Sequence, residues 1–174
     1  MLPQAHGRGG RDIRCDITDP DNLEQLWQRA GEVDAVVSAA GDVPYRPLAD
    51  LEPGDYLSAF HGKVLSQINL VRIGSEHVNP RGSFTLISGI PAREPIVTGA
   101  AAAMAGGAVE AFVRAAALEI APQRINAVSP SVFTESLDDY GDSFPGFVPV
   151  DLSEVARAYV KSVEGAATGQ VLVP

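Results

Sequence analysis

The chain has 174 residues, of which 45% are apolar, and a formal net charge of −9. This length favours a single domain over residues 1–174 with its own core, and the negative charge gives nucleic-acid binding no electrostatic support. The single cysteine, Cys15, cannot form an intrachain disulfide and fits a reducing cytoplasm.

The first part of the chain predicts a tail, a strand and a helix. Residues Met1–Arg11 are rich in Gly and Arg without a periodic pattern, so we expect a flexible tail. The alternating pattern of Asp12–Asp16 indicates a strand. A helix over Asn22–Ala30 follows, because acidic residues precede its start and Gly31 ends its pattern.

The middle of the chain predicts strands that alternate with helices. The apolar run Val33–Ser38 indicates a buried strand that enters a loop of small residues. Apolar residues at helical spacing predict a long helix over Asp55–His77. A second short apolar run, Phe84–Ser88, predicts the next strand, and a helix over Ala100–Ile120 follows it.

The last third of the chain completes this alternation. It contains a predicted strand at Arg124–Pro130, an aromatic loop at Ser136–Pro149 that we expect to be a lid, a helix over Leu152–Ser162 and a last strand at Gly169–Val173. The whole pattern predicts an α/β fold with a mostly parallel sheet. Sheets of this kind bind ligands at the carboxyl ends of their strands.

The sequence predicts neither a membrane span nor a signal peptide. The apolar stretch Ala100–Ala117 is interrupted by Glu110 and Arg114, so we expect a buried or interface helix there. The start of the sequence lacks the apolar core of a signal peptide. We therefore expect a cytoplasmic protein.

Four segments, in this order, resemble the short-chain dehydrogenase/reductase family. Asp16–Asp19 resembles its acidic residue after the third strand, and Ser38–Gly41 resembles its Asn-Asn-Ala-Gly segment. Pro130–Ser131 resembles the Pro-Gly pair beside the nicotinamide, and Thr168–Val173 resembles the last strand. The resemblance covers about Asp12–Val173 and implies a doubly wound, Rossmann-type sheet, truncated at its N-terminus.

The resemblance implies an NAD(P)-dependent oxidoreductase that acts on a small carbonyl or alcohol. The cofactor is expected along the residues that match the family's binding segments: Asp16, Ile17, Ala39, Ala40, Gly41, Pro130, Val132 and Thr134. Arg8 resembles the basic residue that meets a 2′-phosphate, and this one match favours NADP over NAD. The alternative for Thr134 is a hydroxyl that forms a local turn.

Two motifs of the family are missing. Its Gly-rich turn lets backbone amides approach a pyrophosphate, but His6–Gly10 has no predicted strand before it and no helix after it. Its Tyr-x-x-x-Lys pair aligns with Ala102 and Gly106, and neither of these side chains can exchange a proton. Any proton transfer must therefore use another residue.

Lys63 and Ser88 are the candidate catalytic residues. The family's catalytic Asn aligns with Lys63, where burial would lower the amine pKa and ease proton exchange. The alternative is a solvated lysine whose stem passes apolar neighbours. Ser88 ends a strand, where it would hydrogen-bond a substrate carbonyl; the alternative is a bond to local backbone before Gly89.

The sequence predicts no metal site. Asp138, Asp139 and their acidic neighbours lack the rigid spacing of metal ligands, so we expect solvated loop charges. The missing Gly-x-Ser-x-Gly motif argues against a hydrolase triad of Ser88, His61 and an Asp.

The sequence provides no counterpart of the first strand of the expected sheet. The family's first strand is central, and without it the strand Val33–Ser38 has an open apolar edge. Three outcomes are open: Asp12–Asp16 fills the slot, a second chain supplies the edge, or the natural protein has upstream residues.

The alternative to an enzyme is a non-catalytic dinucleotide-fold protein that binds or assembles. As in relatives, the helices over residues 55–77 and 100–120 would form a homo-oligomer interface, and small residues on the second helix allow close packing.

Overall fold

A four-stranded parallel sheet forms the centre of the computed structural model, which describes residues 4–7 and 11–174. The strands in chain order are β1 (Gln4–Gly7), β2 (Arg11–Arg14), β3 (Val33–Val37), β4 (Val78–Ile87), β5 (Arg124–Val128) and β6 (Val171–Leu172). The central sheet has the order β3-β4-β5-β6, with every neighbouring pair parallel. The predicted α/β fold with a parallel sheet is confirmed.

Helices cover both faces of this sheet. They are α1 (Pro20–Ala30), α2 (Pro53–Ala59), α3 (Ser66–Gly74), α4 (Ala100–Glu119), α5 (Leu137–Tyr140) and α6 (Leu152–Glu164). A π-helical segment, Phe60–Leu65, joins α2 to α3 and makes the three one continuous element. This element matches the predicted long helix, but it ends at Gly74 rather than His77 and carries a change of helical register.

The alternation of side chains along β4 and β5 separates the two faces. Phe84 and Ile125 point into the apolar cluster shared with α4. Their neighbours Thr85 and Asn126 point the other way and hydrogen-bond to Ser162 of α6 at 2.7 and 3.1 Å. One face is therefore apolar, and the other carries a buried polar network.

Helix α4 crosses from the end of β4 to the start of β5. Ala101, Ala105, Val109 and Val113 are buried in the cluster that packs on the sheet. By length and composition it is the one helix, within the described part of the chain, that qualifies as a membrane span. Its packing is that of a core helix, as expected for the interrupted stretch Ala100–Ala117.

The N-terminal residues differ from the prediction. Gln4–Gly7 pairs antiparallel with Arg11–Arg14, where the sequence predicts a flexible tail and a lone strand. Residues 1–3 and 8–10 lie outside the described residues, and Arg8 with them. The proposed pairing of Asp12–Asp16 with Val33–Ser38 is wrong, because β2 pairs with β1 and, among the described strands, β3 has only β4 beside it.

Several boundaries also change. β4 begins at Val78, earlier than predicted, because Val78 pairs with Val33; the register then shifts between Val33 and Ala35. The predicted lid over residues 136–149 contains α5 and short 3₁₀ turns. The last strand shortens to Val171–Leu172.

Candidate functional site

Serine residues lie where the three longest parallel strands of the central sheet end. Ser38 follows β3, Ser88 follows β4 and Ser129 follows β5, and all three are buried. The Ser88 amide donates to the Val128 carbonyl at 2.9 Å, so the ends of β4 and β5 lie side by side. This carboxyl edge is where a parallel sheet of this type binds ligands.

Lys63 lies near this edge, within the π-helical segment. A π register shifts the helix hydrogen bonds, and such segments often occur at functional sites. The buried Gln67 side chain donates to the Lys63 carbonyl at 2.9 Å and to the Ile87 carbonyl at 3.0 Å. Its Oε1 accepts from the Ile87 amide at 2.9 Å. Gln67, which the sequence analysis missed, therefore fixes the backbone of Lys63 to the end of β4.

The side chain of Lys63 is half-buried and packs against Gly41. A Cβ added at residue 41 would lie 3.0 Å from the Cγ of Lys63. Burial lowers the pKa of the Lys63 ammonium to about 8. The structure thus brings together Lys63, predicted to be catalytic, and Gly41, predicted to contact a cofactor.

Ser88 has a partner that the sequence did not predict. Its hydroxyl is buried and donates to the Glu110 carboxylate, with 3.0 Å between Oγ and Oε1. A hydroxyl has one proton, and here that proton is directed at Glu110. The geometry therefore argues against Ser88 as a donor to a substrate carbonyl. Among the described residues, the hydroxyl has no backbone partner, which was the alternative.

Glu110 is the centre of this polar cluster, and the sequence analysis missed its role. The same Oε1 accepts from Ser129 Oγ at 3.2 Å and from Arg93 Nη1 at 2.8 Å, and Oε2 accepts from Arg114 at 3.4 Å. The available signal was its spacing: Glu110 follows Gly106 by four residues and so lies on the same helix face. A charged residue on a buried face needs such partners.

The positions of the missing Tyr and Lys are both buried. Ala102 is 7% exposed. A Cβ added at Gly106 would lie 3.2 Å from the Cβ of Ala92. Ala92 belongs to the 3₁₀ turn Ile90–Ala92, hereafter the strand-end turn, which follows β4. The face of α4 that carries Ala102 and Gly106 is hereafter called the bare face. The turn packs on it at Gly106.

The small residues Ala39–Gly41 after β3 are at least partly exposed. Ala39 and Gly41 are exposed and Ala40 is half-buried. The side chain of Tyr159 on α6 donates to the Ser38 carbonyl at 2.9 Å, and this bond holds the start of the segment.

The segment after β5 is held by backbone hydrogen bonds. The Pro130 carbonyl accepts from the Ile90 amide at 2.8 Å, and the Thr134 amide donates to Val150 at 3.0 Å. Val132 is buried and Thr134 is exposed. The hydroxyl of Ser131 is buried and has no hydrogen-bond partner among the residues that the structure describes.

Asp16 and Ile17 have local contacts. The amide and hydroxyl of Thr18 donate to the Asp16 carboxylate at 2.9 and 2.7 Å, and these bonds lower its pKa. Ile17 packs against the apolar cluster that contains Trp27. Both residues stabilise the turn before α1.

The predicted lid approaches the loop after β3. Burial raises the pKa of Tyr45, and the nearby phenol of Tyr140 adds to the rise. Tyr140 belongs to α5, within residues 136–149, so part of this segment lies beside the loop that extends from the edge of the sheet.

Comparison with known proteins gives concordant matches. A family profile described as Enoyl-(Acyl carrier protein) reductase matches residues 2–162. Hydroxynaphthalene reductase arp2 of Aspergillus fumigatus is 30% identical over 134 residues, which are 74% of this chain and 49% of that protein. The chain therefore spans about half the length of the curated relatives it matches.

Two solved structures extend the comparison. The protein lin1944 from Listeria innocua has a TM-score of 0.92 and 46% identity, over 97% of this chain and 84% of that one. A small-chain dehydrogenase in complex with NADPH has a TM-score of 0.82 at 24% identity, over 92% of this chain and 80% of that one, and shares the fold. With the profile match over most of its length, the chain belongs to the short-chain dehydrogenase/reductase family.

Proposed function

We propose that the protein is an NAD(P)-dependent oxidoreductase that acts on a small carbonyl or alcohol and uses Lys63 to exchange the proton. The position of Lys63 carries the proposal. Its backbone is tied through Gln67 to the end of β4, and its side chain packs on Gly41. The family membership and the reductases among its relatives agree with this activity.

The described residues fit the nicotinamide side of a dinucleotide. The hydroxyl of Ser131, which has no hydrogen-bond partner among the described residues, is a polar group within the segment Pro130–Thr134, and the small residues Ala39–Gly41 leave room for a flat ligand. These segments would hold the nicotinamide end. Among residues 4–7 and 11–174, no strand leads through a Gly-rich turn into a helix, so the pyrophosphate side has no counterpart there.

Lys63 supplies the proton chemistry in this proposal. When bound, the cofactor supplies or accepts a hydride at its nicotinamide ring. In the reducing direction the ammonium of Lys63 gives a proton to the carbonyl oxygen and becomes an amine. In the oxidising direction the amine accepts the hydroxyl proton. A pKa of about 8 keeps both forms populated near neutral pH.

The first test is a titration of NADPH and NADH into the protein, followed by heat or by nucleotide fluorescence. Binding at sub-millimolar concentration is expected, with NADPH the tighter ligand if Arg8 acts as predicted. The second test measures turnover on a panel of small carbonyls with Lys63→Met and with the control Lys161→Met. Lys161 is exposed on α6 and is the other lysine of the chain.

A large loss of turnover is expected for Lys63→Met alone, because a general acid contributes roughly 10²–10⁴-fold. Unchanged turnover in this variant would remove Lys63 from the mechanism. Absence of nucleotide binding at millimolar concentration would overturn the oxidoreductase proposal.

A second candidate is a non-catalytic, dimeric binding protein of the same fold. Two observations favour it. Ala102 and Gly106 cannot exchange protons, and an apolar groove of about 680 Å³ lies open between α2, the π-helical segment and α4. Leu57, Phe60 and Met104 line it and are exposed. A second copy that packs through residues 55–77 and 100–120 would cover these side chains.

Sedimentation of the wild type and of Leu57→Glu tests this candidate. A dimer that dissociates in the variant is expected if the groove is an interface. A wild-type monomer at high protein concentration would exclude it. For either candidate we propose a cytoplasmic protein, which agrees with a free, buried Cys15.

A further inference from the structure

Glu110 is a buried carboxylate in the middle of α4 that is bonded to three other parts of the chain. Its side chain is 5% exposed. A carboxylate at this depth persists as an ion only when its partners compensate the charge. It accepts hydrogen bonds from Ser88 after β4, from Ser129 after β5 and from Arg93 beyond the strand-end turn.

The two arginines bound to Glu110 are not equivalent. Arg93 approaches Oε1 at 2.8 Å and its side chain is 32% exposed. Arg114 approaches Oε2 at 3.4 Å and is 57% exposed. The shorter and more buried contact is the stronger charge-assisted bond. It connects α4 to Arg93, the residue directly after the strand-end turn.

The strand-end turn needs such an anchor because it packs on α4 where Gly106 has no side chain. Ala92 packs over Gly106, where a Cβ would lie only 3.2 Å away. The turn also reaches the segment after β5, since the Ile90 amide donates to the Pro130 carbonyl at 2.8 Å. Movement of the turn would therefore move Pro130 as well.

We propose that Glu110 is a positioning residue. It holds the strand-end turn on the bare face of α4 through Ser88, Ser129 and Arg93, an arrangement hereafter called the lock. By holding this turn, the lock also fixes the segment after β5. The lock closes the site on the α4 side. A ligand then enters from the side of Gly41 and Lys63. The proposal depends on the proposed function only where it concerns nucleotide binding.

Amide hydrogen exchange of the intact chain tests the lock directly. Glu110→Gln removes the charge and keeps the shape of the side chain. It should raise exchange at the amides of Ile90, Ala92 and Arg93 roughly tenfold, because a bond to a charged group is lost. The amide of Val113, deep in α4, should change much less.

Variants of the arginines provide the controls. Arg93→Met should reproduce the increase, Arg93→Lys should restore most of the protection, and Arg114→Met should change exchange by less than about threefold. Equal protection of the turn in wild type, Glu110→Gln and Arg93→Met would overturn the lock. If Glu110→Gln does not fold, Arg93→Met and Arg93→Lys decide the question alone.

Titration with NADPH separates the two proposals. If the wild type binds, Glu110→Gln should weaken binding at least roughly fivefold through the loosened Pro130, because ordering the turn then costs part of the binding energy. Unchanged affinity would overturn the link from Glu110 to the segment after β5. If the wild type does not bind NADPH, the proposed function fails, while the exchange experiment still decides on the lock.

Discussion

The side chain of Lys63 packs against Gly41, at a separation that is tight for any larger residue. A Cβ at position 41 would meet the Cγ of Lys63 at 3.0 Å and its Cβ and Cδ at 3.4 Å. The absence of a side chain at Gly41 therefore leaves space for the lysine stem. This contact links the two segments that the proposed reaction needs.

Gly41→Ala should displace Lys63 towards solvent. Less burial means a smaller desolvation penalty, so the pKa of Lys63 should rise from about 8 towards its ordinary value of 10.5. Because the chain has two lysines, ¹³C-labelled Lys gives two assignable NMR titration curves. The shift should appear in one curve only, and turnover should fall.

Gly107→Ala is the matched control for this variant. A Cβ at Gly107 would contact nothing within 4 Å, and the residue lies inside α4. It should leave both lysine titrations unchanged and stabilise the protein by about 0.5–1 kcal/mol. An unaltered Lys63 titration in Gly41→Ala would show that the contact does not set the burial of the amine.

The lowered pKa of Lys63 also predicts a pH dependence of stability. The unfolded chain keeps the proton up to about pH 10.5, whereas the folded protein releases it near pH 8. Between these values the unfolded state binds more protons, so the contribution of Lys63 to the free energy of unfolding rises with pH. Below about pH 8 the destabilising effect of the buried ammonium is fully present.

Lys63→Met should remove this dependence. Urea unfolding at several pH values measures it as the difference between wild type and variant, which cancels the titration of other groups. The variant should be more stable than the wild type near neutral pH, and its advantage should shrink towards pH 10.5. A pH-independent difference would contradict the buried-ammonium assignment.

The sequence predicted the strands and helices that position the site better than the contacts of its side chains. The parallel strands and the crossover helix followed from short apolar runs and helical spacing, which depend on local burial. The family match placed Lys63 and Gly41 at the same edge. The contact between these two residues depends on the path of the π-helical segment, and side-chain spacing alone does not reveal that register change.

Ser88 illustrates what local patterns cannot reveal. Its position at the end of β4 was predictable, but the direction of its hydroxyl depends on Glu110, which is 22 residues later in the chain. Glu110 was noted only as an interruption of an apolar stretch. Its role depends on the tertiary packing, which brings Ser129 and Arg93 within hydrogen-bonding distance of its carboxylate.

Gln67 should prove essential for placing Lys63. Gln67→Met removes all three side-chain hydrogen bonds and leaves the backbone groups of Ile87 without these partners in a buried setting. The expected loss of stability is about 2–3 kcal/mol. The Lys63 titration should also change, since its carbonyl loses the bond that fixes the π-helical segment.

Gln28→Met, on the exposed face of α1, is the control for Gln67→Met. It should leave both stability and the Lys63 titration unchanged. A destabilised Gln67→Met variant that keeps the wild-type Lys63 titration would restrict Gln67 to a purely structural role.

Restoring the family's missing pair should fail. The double variant Ala102→Tyr, Gly106→Lys places large side chains where Ala102 is buried and where a Cβ at 106 already approaches Ala92 at 3.2 Å. The strand-end turn would have to leave α4, and overpacking of this kind costs roughly 1–3 kcal/mol.

Thermal unfolding and carbonyl-reduction assays measure the two consequences, and Gly107→Lys controls for an added lysine on the same helix. We expect lower stability without faster turnover, because the site is built around the turn. A double variant as stable as the wild type and faster on carbonyls would show instead that the space for a Tyr and Lys pair is still open.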